Sequence, residues 1–392
     1  MRFGVVVPWC GVDMNGGVER HALSIAMELG ELGYSSEVLT TTGRSSFTAW
    51  DEDYFEEGIE ECAWGRIRRF PLEKRNGGLY DVLFTRLRSS GTLPWLEEQQ
   101  LLLQKVSSRS LYEYISTQSA DYVVIGMPYY YGLVHWAIKS APGVSVLIPC
   151  LHDEPEAYMS ATRELFTFAT HAVFNSDPEL ALARGIIPQG SRMRGVIGVP
   201  VSDTRGMGVA QRFRAKFGIE DPFLLYVGRK VSGKGLDHLL SMIQGARSEL
   251  PEGLRLVTIG PGSMDALAGQ DTLGDMVVDL GELPDSDKLD AMAAATALCH
   301  FSKLESFSLV LMESWYQSTP VIVHEQAKVL ASHVRASGGG WIVDTIQDFS
   351  AAVTQALLDR GQAEQTGLLG LRYAERFTDK NVTRRLIEVV RS

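Results

Sequence analysis

Short apolar runs recur along the chain, separated by segments whose apolar residues fall at helical spacing. Phe3 to Val7 is the first run. After a loop, Val18 to Leu32 carries Ala22, Ile25, Ala26, Leu29 and Leu32 on one stripe, an amphipathic helix that Gly33 stops. Glu37 to Leu39 predicts a second strand and Arg66 to Phe70 another, with an acidic, irregular stretch from Gly43 to Gly65 between them. Residues 74 to 95 read as loop, and a helix is expected over Glu97 to Ile115. Tyr122–Gly126, Ser145–Pro149 and Ala172–Phe174 are the nearly continuous apolar runs of strands buried on both faces of a parallel sheet. Gly185 to Gly208 is rich in Gly, Pro and Arg and lacks helical period, which puts a domain boundary near Pro200. A second series of strands follows at Phe223–Val227, Leu254–Ile259, Met276–Leu280, Ala297–Phe301, Pro320–Val323 and Trp341–Val343, again with helical patterns between them. Leu369 to Val390 is helical in pattern. Alternating strand and helix argues for an α/β protein with parallel sheets. Two halves of similar size, 1–200 and 201–370 with a terminal helix at 371–392, suggest a cleft between domains.

Candidate chemistry concentrates where the apolar run Ala297 to Phe301 gives way to the turn Ser302 to Ser308 and then to a helix-forming run ending near Trp315. A helix start presents free N–H groups and positive dipole, which suits a phosphate. The amides of Ser306, Phe307, Ser308 and Leu309 lie there. Glu305 sits in the turn, and Glu313 lies about five residues into the helix, roughly 7.5 Å along its axis. A nucleoside diphosphate sugar is extended on that scale.

Composition narrows the partners. The net charge of −11 over 392 residues disfavours non-specific nucleic-acid binding. Four scattered cysteines lack metal-ligand spacing and read as free thiols in a reducing compartment. The apolar N-terminal run is too short for a signal peptide and reads as a first strand. No run approaches a membrane span, so a cytoplasmic protein is expected, with peripheral contact at the inner membrane face left open.

Other motifs are shorter. Gly16-Gly17 ends the first strand's loop and starts a helix, where glycines let backbone approach a phosphate closely; an ordinary tight turn would look the same. Arg229 and Lys230, then Gly233-Lys234-Gly235, bracket the turn that opens the second half, offering a planar fork and a point charge for phosphate oxygens. Lys230 is a further cation without an evident role. Gly281-Glu282-Leu283-Pro284 is turn chemistry after a strand. His152, in Leu151-His152-Asp153-Glu154, sits at a strand's carboxyl end, where α/β sheets bind ligands; it suits a reacting sugar or a phosphate, or simply caps the loop. Asp153 and Glu154 are candidates to touch an acceptor. Asp51-Glu52-Asp53 has the Asp-x-Asp form of a metal–nucleotide site but lies in an acidic loop, not at the end of a buried strand, and reads as solvated. Gly260-Pro261-Gly262 is short and unspecific. Arg66 to Arg69 with Lys74 and Arg75 reads as a charged strand edge, or as a face for anionic lipid. No Gly-x-Ser-x-Gly nucleophile turn is present.

Taken together, these segments resemble retaining glycosyltransferases of family 4, of the glycosyl transferases group 1. Glu305 and Glu313, with Ser306-Phe307-Ser308-Leu309 after the first, resemble that family's donor motif. Gly16-Gly17-Val18-Glu19, Arg229 with Lys234, Leu283 and His152 match its other segments. The resemblance implies a GT-B fold, two Rossmann-like domains facing a central cleft, with the terminal helix returning to the first domain. It implies transfer of a sugar from a nucleotide diphosphate donor to a glycan or lipid-linked acceptor, as in polysaccharide biosynthesis. Activity is expected to need neither metal nor cofactor. Arg229, Lys234, the 306–309 amides and Gly17 would hold the diphosphate; Glu305 would orient the sugar, Glu313 grip the ribose, Leu283 meet the base, and His152 face the reacting centre. One departure is Ser306 and Ser308, where glycine is common. A nucleotide-sugar epimerase of the same fold and a catalytically silent sugar-nucleotide-binding protein remain alternatives; product analysis and donor hydrolysis without acceptor separate them.

Overall fold

The computed structural model describes residues 1–11, 16–45, 50–187, 192–231, 233–264 and 273–392. Residues 12–15 and 46–49 of the expected loops, and 188–191 of the boundary stretch, lie outside the described residues. The chain divides into two compact units, Met1–Pro200 with Asp379–Ser392, and Val201–Thr378.

The first unit is built on eight strands: β1 Arg2–Val6, β2 Ser35–Thr41, β3 Gly58–Cys62, β4 Gly65–Phe70, β5 Tyr122–Gly126, β6 Ser145–Leu147, β7 His171–Phe174 and β8 Met193–Val196. Their order is β3-β4-β2-β1-β5-β6-β7-β8. Every described pairing is parallel except that of β3 with β4. The central strands are the apolar runs of the sequence, and β5 is buried at all its positions. Helix Gly17–Glu31 lays Ala22, Ile25, Ala26 and Leu29 into the core. Helix Asp379–Arg391 packs against it and against β7, burying Val382, Leu386, Ile387 and Val390.

The second unit has six strands: β9 Phe223–Val227, β10 Arg255–Ile259, β11 Val277–Asp279, β12 Ala297–His300, β13 Val321–His324 and β14 Gly340–Val343. They run parallel in the order β11-β10-β9-β12-β13-β14. The described chain thus carries two parallel-sheet units, a mixed α/β fold.

Four elements differ from the expectation. Edge strand β3 arises within the acidic stretch 43–65. Four of its five residues are exposed, so no apolar alternation marks it; the ladder to β4 and the ion pair of Arg69 with Glu60 at 2.7 Å hold it. Residues 77–90, expected as loop, form a helix. Asn76 caps it by accepting the Leu79 N–H at 3.0 Å, Gly91 ends it at φ 75°, and Tyr80, Leu83 and Leu87 supply the buried stripe. The single helix expected over 97–115 is two, Trp95–Leu103 and Arg109–Ser116. Between them the Ser108 hydroxyl donates to Pro71 O at 2.7 Å and the Leu133 N–H to Val106 O at 2.8 Å, long-range bonds that replace helical ones. The C-terminal pattern also breaks: helix Arg360–Ala374 ends, a short turn Glu375–Phe377 follows, and helix Asp379–Arg391 begins.

Candidate functional site

In the second unit the carboxyl ends of β9, β11 and β12 carry the candidate residues. Strand β12 ends at His300, and the chain turns through Phe301–Ser308 into helix Leu309–Tyr316. Phe307 anchors the turn: its ring is buried edge-on to His333 and Phe377, each at 4.9 Å. Ser308 stands at the N-cap with φ 78° and ψ 87° and makes no side-chain cap. The first-turn N–H groups thus lack a side-chain acceptor from their own cap.

Glu305 is bound before any ligand arrives. Its Oε1 accepts from Lys234 Nζ at 2.6 Å and lies 3.5 Å from His300 Nε2. Burial pushes the Glu305 carboxyl up, but the Lys234 charge and the His300 contact outweigh it and hold the group well below the usual carboxylate range. The carboxylate is charged at neutral pH. Lys234 reaches it because two turns touch: a Cβ on Gly235, at φ +76°, would lie 2.3 Å from the Phe301 carbonyl carbon. Glycine there lets the turn after β9 close against the turn after β12.

Arg229 is exposed, and its carbonyl accepts the buried Tyr226 hydroxyl at 2.9 Å. Burial raises the Tyr226 phenol and the Glu305 charge adds to this, whereas Arg229 opposes it, which places all three groups within electrostatic reach. Glu313, on the helix Leu309–Tyr316, accepts from Lys288 Nζ at 3.1 Å, and Lys288 also pairs with Asp285 at 2.8 Å. Leu283 is half-buried in the turn after β11. Lys230 is the fully buried member of the set and pairs with Asp279 at 2.7 Å.

In the first unit, Gly16 is the N-cap and Gly17 the first residue of helix Gly17–Glu31. Gly16 has an ordinary φ of −74°. The Glu19 carboxylate folds over it, its Oε2 1.8 Å from where a Cβ would stand, a contact that the flexible Glu19 side chain could relieve by moving. His152 is half-buried after β6, with Nδ1 3.6 Å from Glu154 Oε1. Glu154 is 8% exposed, accepting from Tyr129 at 3.0 Å and Arg88 at 3.1 Å. Burial raises its carboxyl, but His152, then Arg88 and Tyr129, bring it down to about 2. Its contacts are internal rather than those of an acceptor-facing side chain. Asp153 accepts from the Tyr158 hydroxyl at 2.7 Å. Asp53 of the Asp-x-Asp segment accepts from the Thr42 hydroxyl and clasps its own loop. Among the described residues no cluster of three or more His, Cys, Asp or Glu is disposed around a metal position. No described helix is long and apolar enough to cross a membrane.

The structure therefore gathers Arg229, Lys234 and Glu305, with Glu313 further along the same helix start. Lys288 and His300, which complete the charge pairs, escaped the sequence reading. The only trace of His300 there is a polar residue closing an apolar strand. Lys288 carries no local signal.

Residues 209–368 match the family described as Glycosyl transferases group 1. That segment contains Arg229, Lys234, Glu305 and Glu313 and is a glycosyltransferase group 1 domain; the protein is a glycosyltransferase. Its fold is GT-B. The sucrose-phosphate synthase of Thermosynechococcus elongatus superposes with a TM-score of 0.71 at 15% identity, over 100% of this chain and 98% of that one. The E. coli trehalose-6-phosphate structure bound with UDP-2-fluoro glucose gives 0.70 at 12% identity, over 100% and 99%. WaaG, a glycosyltransferase involved in lipopolysaccharide biosynthesis, gives 0.66 at 15% identity, over 99% of each chain. No curated protein sequence matches the chain.

Proposed function

We propose that the protein is a retaining glycosyltransferase of the family 4 type, passing a sugar from a nucleotide diphosphate sugar to a glycan or lipid-linked acceptor without a metal ion. The observation that carries this reading is the 2.6 Å Lys234–Glu305 pair beside the helix start at Leu309, with Glu313 on the same helix. An ammonium has three donors. One of Lys234's serves Glu305, leaving others for phosphate oxygens, while the exposed Arg229 adds a fork. The charged Glu305 accepts hydroxyls of the transferring sugar, and Glu313 accepts the ribose hydroxyls. The acceptor oxygen bonds to the anomeric carbon on the face from which the diphosphate leaves. As the carbon–phosphate-oxygen bond breaks, the acceptor proton passes to that leaving oxygen. The protein supplies position and charge neutralisation. A nucleotide sugar analogue bound to the E. coli structure of the same fold supports the donor class.

A thermal-shift panel of sugar nucleotides, followed by turnover of the best binder and NMR assignment of the product anomer, tests the reading. Stabilisation by one donor and retention at the anomeric carbon are expected. An inverted product would overturn the retaining mechanism, and the absence of any donor-induced shift would overturn the site.

A further inference from the structure

Lys230 is unusual among the cations at this sheet edge because none of its side chain is exposed. Its ammonium donates to the Gly260 carbonyl at 2.6 Å and pairs with Asp279 at 2.7 Å. Its own N–H donates to Pro261 O at 2.9 Å. Asp279 Oδ1 also accepts the Thr258 hydroxyl and the Gly281 N–H, both at 3.0 Å. Gly260 N donates to Gly281 O at 2.7 Å. One ammonium thus joins the loops at the carboxyl ends of β9, β10 and β11. The loops are too close for other residues: a Cβ on Gly260, at φ +135°, would stand 2.2 Å from Gly228 O.

Burying an ammonium is costly, and a well-packed apolar side chain often replaces a buried ion pair without loss of stability. Retaining the pair therefore calls for a geometric reason. Lys230 follows Arg229 directly, and a single residue, Leu280, separates Asp279 from the turn Gly281–Leu283. The latch sets the spacing between a phosphate fork and a backbone turn that lie on different strands.

We propose that Lys230 is a positioning residue that, through Asp279 and the Gly260 carbonyl, holds the Gly281–Leu283 turn at nucleoside distance from Arg229 and so determines which nucleoside diphosphate the protein accepts. This rests on the donor-site reading above. The ligand class is the nucleoside part of the donor, read by backbone groups whose position the latch fixes. The ammonium itself touches neither sugar nor phosphate.

The test compares melting temperatures with inorganic pyrophosphate, UDP, GDP and ADP. Wild-type protein should be stabilised by one nucleotide beyond the pyrophosphate shift. Lys230→Met, similar in length and apolar, should keep the pyrophosphate shift, lose most of the nucleoside-dependent increment, and rank the three nucleotides alike. In donor hydrolysis its KM should rise about tenfold, the scale of one charge-assisted hydrogen bond, with a much smaller fall in kcat. Asp279→Asn keeps the shape, leaves no buried lysine-sized gap, and should show the same split; it decides the question should the Met variant fail to fold. Retention of the full increment and ranking in a folded variant overturns the latch. Equal loss of the pyrophosphate shift also overturns it, because that is the mark of general structural damage. If wild-type protein responds to pyrophosphate and all three nucleotides identically, the donor-site reading itself falls, and the latch with it.

Discussion

Replacing Ser308 by glycine should stabilise the protein. Ser308 holds φ 78° and ψ 87° at the start of helix Leu309–Tyr316. A side chain in the left-handed region costs roughly 1–2 kcal/mol, because Cβ crowds the following carbonyl. The serine is also 5% exposed, and its hydroxyl has no hydrogen-bond partner among the described residues. A buried hydroxyl without a partner costs on the order of 1–3 kcal/mol. Glycine removes both penalties and returns about 0.5–1 kcal/mol through the greater freedom of the unfolded chain. The net gain is roughly 1–4.5 kcal/mol, equivalent to about 2–18 °C for a unit of this size. Urea and thermal unfolding of ligand-free Ser308→Gly, followed by circular dichroism, measure it. Ser306 is the control. Among non-glycine residues described, positive φ occurs at Cys150, Ser308 and Ser318, so Ser306→Gly relieves no strain and should be neutral or destabilising by about 0.5–1 kcal/mol. An unchanged or lower midpoint for Ser308→Gly, or an equal gain from Ser306→Gly, refutes the reasoning.

Glu305→Gln should mainly slow turnover and Glu313→Gln mainly raise the donor KM, each about 10- to 100-fold, the worth of one or two charge-assisted hydrogen bonds; steady-state kinetics that do not separate the two glutamates would contradict their assigned roles. A nucleoside diphosphate at a hundredfold excess over Kd should add about 2.7 kcal/mol of stability, and Arg229→Ala or Lys234→Ala should remove most of it; two variants with the wild-type shift would place the diphosphate elsewhere. Activity should survive EDTA, and loss that only magnesium or manganese restores would revive the Asp51-Glu52-Asp53 site. Glu179 is fully buried, and although it accepts the N–H groups of Leu151 and Asn175 at 2.6 Å, burial pushes its carboxyl up to about 8. The folded unit then holds a proton that the unfolded chain releases near pH 4.3. First-unit stability should fall as pH rises from about 5 to about 8, and Glu179→Gln should flatten that slope; an identical slope in the variant excludes Glu179 as its source.

What could be read in advance was what adjacency along the chain encodes. Strands β5 and β9 lie where continuous apolar runs place them, because a strand buried on both faces leaves no polar positions. The turn from Glu305 to Leu309 was visible for the same reason: strand, turn and helix start are consecutive. Strand β3 was not, since an exposed antiparallel edge carries no apolar period. Helix Gly77–Ser90 was lost to its mixed charge, although Asn76 and Gly91 mark its ends. The partners Lys288 of Glu313 and Arg88 of Glu154 lie 25 and 66 residues from the carboxylates they neutralise. Local pattern holds no record of such pairings. Glu154 looked like a surface candidate because its enclosure depends on Tyr129 and Arg88, which come from other elements.

The return of helix Asp379–Arg391 to the first unit has a consequence for biosynthesis. The ribosome must make all of Val201–Thr378 between the two pieces of that unit. At 5–20 residues per second this takes roughly 10–35 s. Throughout that interval the nascent first unit exposes the surface of helix Gly17–Glu31 and β7 that Val382, Leu386, Ile387 and Val390 later cover. The second unit, continuous in sequence, is free to fold first, and the earlier-made half is completed only afterwards. A chaperone that protects an apolar stripe for tens of seconds would therefore act on the beginning of this chain, and slowing translation across the second unit should lengthen its engagement.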